Sequence, residues 1–309
     1  MTTFDLLLQQ VINGLSLGAM YALLALGFTL VYGILELINF AHFNVFMIGS
    51  FIGMWTLQAM GFSGQGTTLG GLPLVGVLLV AFGVTMIASG VLGVLIERFS
   101  LRPLRNVKGP AAMITTIGVS YILFNIILLA VGADSKNFPN PLPPIVWHFG
   151  DAVLRLREVL IWGVSIVLMA ALQFWVQNSK MGKAMRATAQ DPEAARMMGV
   201  EVDRVIIMAF FVGSALAGAG GLIFGLYYNF TSFIIGFTAG LRAFTAAVLG
   251  GIGNIVGAMV GGVIIGLIET LGGQFIAVAW TDVIIFSLLV LVLVFRPSGL
   301  FGRLAPTKS

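Results

Sequence analysis

Cysteine is missing altogether, which removes disulfides, thiolate metal sites and cysteine nucleophiles. Histidine is nearly missing: the two present, His42 and His148, lie far apart in the chain and make a metal centre unexpected. Charge is scarce too. Charged residues make up 9% of the chain, against about 25% in an ordinary soluble domain, too little polar surface to cover a globule in water. Catalytic signatures are absent. No GxxxxGK[ST] phosphate loop occurs, since Gly182-Lys183 is followed by Ala184. HExxH, GxSxG and paired carboxylates are also lacking, so chemistry within this chain is not expected, nor any cofactor. Charges inside the apolar runs are too few for a proton relay or a voltage sensor. The basic balance does not point to nucleic acid, because the cations flank apolar segments.

What is abundant is apolar sequence (59%) and glycine (40 residues). Apolar runs cover roughly 6–31, 43–60, 72–96, 110–132, 159–177, 205–229, 238–250, 254–272 and 281–296. Most reach the roughly 17–25 residues that cross a hydrocarbon layer. The expected fold is therefore all-α: one polytopic membrane helix bundle, residues 1–309, with eight or nine membrane segments. The run 238–250 is short enough to be broken or re-entrant, and residues 32–42 are expected to be irregular. Residues Met1 to Asp5 carry no Lys or Arg, and the first run is long enough to span, so no cleavable signal is expected.

Cations cluster in three places: Arg98, Arg102, Arg105 and Lys108; Lys180, Lys183, Arg186, Arg196 and Arg204; Arg296, Arg303 and Lys308. Together they hold twelve of the sixteen Lys and Arg residues, which places all three on the cytoplasmic side, the C-terminus included. Loop 133–158 balances its charges and carries the stiff PNPLPP run, and is placed outside. The N-terminus is then outside if 238–250 counts as a crossing.

Three constellations stand out. The first follows the opening span, where Gly33 frees the backbone and Glu36, Asn39, His42 and Asn44 lie at or near membrane depth. Polar groups and irregular backbone there either line a path or form an interfacial turn. The second is Ala239 to Asn254, with breaks expected at Gly250, Gly251 and Gly253, and with Thr245 and Asn254 as polar members. Arg242, the only cation between Arg204 and Arg296, faces a carboxylate substrate, pairs with Glu269, or snorkels to the outer surface, the last being preferred. The glycines at 257, 261, 262 and 266 are read as tight helix packing. The third is a polar island in loop 178–204. Asp191 suits an N-cap, Pro192 the first helical position, and Glu193 the positive end of a helix dipole; Ala194, Ala195 and Arg196 continue the turn and Gly199 stops it. Such a helix either docks in a partner's groove or lies on lipid headgroups.

The blocks NGLSLGAMYALLALGFTLVYGI (13–34), INFAHFNVFMIGSF (38–51), IERFSLRPLR (96–105), MGKAMRATAQDPEAARMMGVEVDRV (181–205), AGLRAFTAAVLGGIGNIVGAMVGG (239–262) and RPSGLFGR (296–303) run end to end in this chain. In that order they resemble the LivH-type permease subunits of branched-chain amino acid ABC importers. Glu193-Ala194-Ala195 followed by Gly199 is similar to the EAA-x-x-x-G loop through which ABC permeases contact their ATPases. The resemblance implies a bacterial inner-membrane complex. A LivM-type second permease would be the neighbour, two cytoplasmic ATP-binding subunits the motor, and a periplasmic or surface substrate-binding protein the donor. Where family members commonly carry Gly and an acidic residue after Ala-His, this chain has Phe43 and Asn44. The same machinery carrying amides, urea, or aromatic or organic acids is the alternative within this class. A stand-alone secondary transporter or channel is the alternative outside it.

Overall fold

The computed structural model describes residues 3–63, 68–104, 107 and 110–302. Arg105, Lys108, Arg303 and Lys308 of the cation clusters lie outside the described residues. The chain runs as α1 Thr3–Leu35, α2 Ala41–Ala59, α3 Gly71–Ile96, α4 Ala111–Val131, α5 Leu156–Asn178, α6 Lys180–Gln190, α7 Pro192–Met197, α8 Val202–Tyr228, α9 Ile235–Gly250, α10 Ile255–Gly272 and α11 Thr281–Phe295. Each expected apolar run coincides with one helix. Among the described residues six stretches are long and apolar enough to cross a membrane, and α9 is a shorter apolar helix.

The helices sort into staves and cover. The apolar windows of α1 and α8 are 89% and 78% buried, whereas that of α4 is 17% buried. In a bilayer, lipid tails are as apolar as leucine, so helix pairs gain little from hydrophobic burial and hold through close van der Waals contact. Glycine makes that contact possible here. On the α1–α10 seam, a Cβ at Gly18 would stand 2.7 Å from the Val263 Cα, and one at Gly266 would strike the backbone of Gly14 and Gly18. On the α2–α8 seam, a Cβ at Gly49 would meet the Gly218 carbonyl at 3.0 Å. The packing role expected for the glycine stripe 257–266 is seen directly.

Gly33 is a correction. It is not a helix break: α1 passes through it and ends at Leu35. The turn comes at Glu36, whose φ of 51° is left-handed. Gly33 instead serves proximity, since a Cβ there would stand 3.3 Å from the Gly253 Cα. At the other interruption, Gly250 is the last residue of α9, and Gly251 and Gly253 have φ of 103° and 90°.

Two ends of the bundle are distinct. At one end, loop 133–158 holds a hairpin, β2 Val146–Phe149 with β3 Ala152–Arg155. Beside it, β1 Lys136–Asn137 pairs with β4 Phe230–Thr231. The start of α1 lies there, with Gln9 accepting a hydrogen bond from the Val153 amide at 2.7 Å. At the other end sit α6, α7, the 36–40 turn and the tail. Arg102 joins Asp203 there at 2.9 Å, which ties the first cation cluster to the start of α8, beside Arg204 of the second.

Gly266→Leu is expected to overpack the α1–α10 seam by about 1–3 kcal/mol. The check is a lower midpoint for thermal loss of the monodisperse protein in detergent; an unchanged midpoint would contradict the seam.

Candidate functional site

The hook between α5 and α8 is built almost wholly from local bonds. Ser179 caps α6 by accepting from the Gly182 amide at 2.9 Å. Arg186 donates back to the Val176 carbonyl and to the Gln177 carbonyl, tying α6 to the end of α5. Asp191 caps α7 by accepting from the Glu193 and Ala194 amides at 2.9 and 3.0 Å, and Pro192 occupies the first turn. The stop is a Schellman turn: the Gly199 amide donates to Arg196 and the Val200 amide to Ala195, with Gly199 at φ 84°. Ala195 faces inward at 4% exposure, while Met197 and Met198 stand out at 87% and 84%. Glu193, Ala194 and Arg196 are exposed as well. Behind the hook a hollow of about 240 Å³ is lined by Pro192, Thr188 and Arg196, by Ile34, Leu35 and Leu37, and by Leu104. The hook therefore sits directly over the turn that ends α1.

That turn is satisfied from within the protein. Asn39 accepts from the Ala41 amide at 3.1 Å, and the Phe40 amide donates to the Thr116 hydroxyl of α4 at 3.2 Å. Glu36 is exposed. His42 is buried and seated over Gly27. Asn44 donates to the Ser120 carbonyl at 2.8 Å and faces a cleft of about 410 Å³ with Phe40, Phe43, Phe124, Phe237 and Thr238. The second constellation divides. Thr245 bonds back to the Leu241 carbonyl at 3.0 Å. Asn254 caps α10 through the Gly257 amide and donates to the Phe301 carbonyl at 2.8 Å, so it ties the break to the tail.

Arg242 is the other correction. It does not snorkel. Its side chain is 21% exposed and pairs with Glu269 of α10 and with Asp282 of α11, the latter at 2.8 Å. Tyr21 of α1 donates to Glu269 at 2.7 Å. Burying a guanidinium is far less costly when carboxylates surround it than when it is alone. Pairing with Glu269 was readable from the sequence; Tyr21 and Asp282 were missed. The one clue was an acidic residue opening an otherwise apolar helix. Thus Arg242, Glu269 and Asp282 meet on one side of α9, and Asn44 lies at a separate cleft. Among the described residues no group of three His, Asp or Glu side chains is placed to hold a metal ion.

Comparison with known proteins agrees with this architecture. A family model described as branched-chain amino acid transport system / permease component matches residues 10–293. The chain belongs to this permease family. It is 41% identical over 302 residues to the high-affinity branched-chain amino acid transport system permease protein LivH of Escherichia coli, covering 96% of each chain. It is 39% identical over 301 residues to the corresponding protein BraD of Pseudomonas aeruginosa, again at 96% of each. A probable LivH of Methanocaldococcus jannaschii is 28% identical over 91% of this chain and 88% of its own. No solved structure matches. The chain is a multi-pass membrane protein of the permease type.

Asp191→Ala is expected to cost the hook about 0.5–2 kcal/mol through loss of its cap. Hydrogen exchange should speed up at the Glu193 and Ala194 amides and stay unchanged in α1 and α8. Unaltered exchange in the hook would show that the cap contributes nothing.

Proposed function

We propose that this chain is the permease subunit of an ATP-binding cassette importer for branched-chain amino acids, with α7 as its coupling helix. The observation that carries this is the hook. A six-residue helix with a cap at each end projects two methionines outward, and its inner face rests over the turn at the end of α1. Exposed, flexible Met side chains suit a groove in a partner. A headgroup-lying helix would be expected to carry a wider apolar face than one turn supplies.

On this reading the hook end faces the cytoplasm of a bacterial inner membrane, with the C-terminus on the same side. Two ATP-binding subunits dock there and hydrolyse ATP, a LivM-type permease packs against the less buried helices, and a substrate-binding protein delivers cargo to the hairpin end. Docking and release of the ATPases tilt the hook. Through the hollow behind it, that motion reaches residues 36–40 and then the Asn44 cleft, where access switches sides. The relatives' names support branched-chain amino acids as cargo over amides, urea or aromatic acids.

Glu193→Lys and Gly199→Pro should each abolish ATP-driven leucine uptake by the assembled complex while the bundle still assembles. Normal uptake in both variants would refute the coupling role. Because the chain has no cysteine, Met197→Cys supplies a unique thiol. It should react quickly with a maleimide in the isolated chain and about tenfold or more slowly once the ATPases are bound; equal rates would place the hook outside the interface.

A further inference from the structure

The Arg242 cluster is unbalanced in charge and in bonding. Around this one cation, Glu269 and Asp282 supply two carboxylates. They hold the guanidinium differently. Glu269 is the fixed partner: its side chain is 13% exposed, and its two oxygens are taken by Arg242 and by the Tyr21 hydroxyl. Asp282 is the loose one, 61% exposed, and both the Nε and Nη2 of Arg242 converge on a single oxygen, Oδ1, at 3.2 and 2.8 Å. That edge of arginine fits two carboxylate oxygens side by side, and here it is only half used.

Arg242 and Glu269 both line a cavity of about 280 Å³ whose wall also includes Gln10, Thr270, Gln274 and Thr281, the residue next to Asp282. The wall on the Asp282 side is irregular backbone. A π-helical turn, Gly273–Ala277, and a 3-10 turn, Val278–Trp280, replace regular helix between α10 and α11. Wide turns of this kind often mark functional positions.

We propose that the Nε–Nη2 edge of Arg242 is a docking edge for the α-carboxylate of a zwitterionic amino acid, with Asp282 as its exchangeable occupant. The incoming carboxylate displaces Asp282 from the guanidinium. The α-ammonium then sits beside Glu269, so each charge of the zwitterion meets an opposite one while the net charge of the cluster is unchanged, and the released Asp282 carboxylate turns to water. Neither a free acid nor an amine satisfies both halves. The assignment rests on the importer reading, because it takes the substrate to be an amino acid.

The test is equilibrium binding of labelled leucine to the assembled transporter in lipid nanodiscs, without the binding protein. Arg242→Gln is expected to weaken binding about tenfold or more, the loss of one charge-assisted contact. Asp282→Asn is expected to keep or tighten it, since the competing carboxylate is gone. Leucinamide, which lacks the carboxylate, and isocaproate, which lacks the ammonium, should each compete at least about tenfold less well than leucine. Equal loss in both variants would make the cluster a structural brace and overturn the proposal. So would leucinamide competing as well as leucine, or no leucine binding to a complex that still transports. Should Arg242→Gln fail to assemble, the competitors and Asp282→Asn decide the matter on intact complex. If the unaltered complex with its binding protein shows no ATP-driven leucine uptake, the importer reading falls; if uptake is normal and Arg242→Gln binds leucine normally, only this site falls.

Discussion

Backbone satisfaction inside hydrocarbon is the constraint from which the rest of this structure follows. A helix interrupted at membrane depth leaves amides and carbonyls that water does not reach, each costing several kcal/mol if left alone. At the hook end of the bundle the chain turns at 36–40 and at 251–254, and it supplies partners each time. At the 36–40 turn they come from Asn39 and from Thr116 on α4. At the 251–254 break they come from the tail, where the Leu300 and Phe301 amides donate to the Leu249 and Gly250 carbonyls. Each interruption is therefore tied to a distant element, and movement at either is felt there.

Close packing gives those ties their stiffness. Gly33 meets Gly253, so the last turns of α1 touch the break between α9 and α10. A side chain at Gly33 would press on the Gly253 backbone and hold α1 away from the α9–α10 corner. A seam of bare backbone is poorly compressible. A small displacement passes along it in place of being absorbed by rotamer changes.

Much of this was legible in the sequence, for physical reasons that differ by element. The apolar runs located the helices because a bilayer permits little else. The hook's caps were legible because Asp191, Pro192 and Gly199 act on amides two to four residues away. The helix α6 was not foreseen: its composition is polar, and it is fixed by Arg186 reaching back to carbonyls of α5. Gly33 was misread because a glycine wanted for proximity and one wanted for bending look alike in a single chain. The site around Arg242 was half legible. Its charge announced a partner, but Tyr21 lies 221 residues away and Asp282 40, and only the fold brings them together.

Two cavities of different chemistry flank α9. A path for a branched-chain amino acid must accept an apolar side chain and a pair of opposite charges, and one surface rarely does both without leaving a buried charge unpaired. The Asn44 cleft is walled mainly by aromatic rings and contains no charged residue. The Arg242 cavity offers charges of both signs and few large apolar side chains. Because α9 is only about 24 Å long at 1.5 Å per residue, it falls short of a hydrocarbon layer about 30 Å thick. It is held at its end by the tail, whose Leu300 and Phe301 amides donate to the Leu249 and Gly250 carbonyls, and at its middle by Arg242 between Glu269 and Asp282.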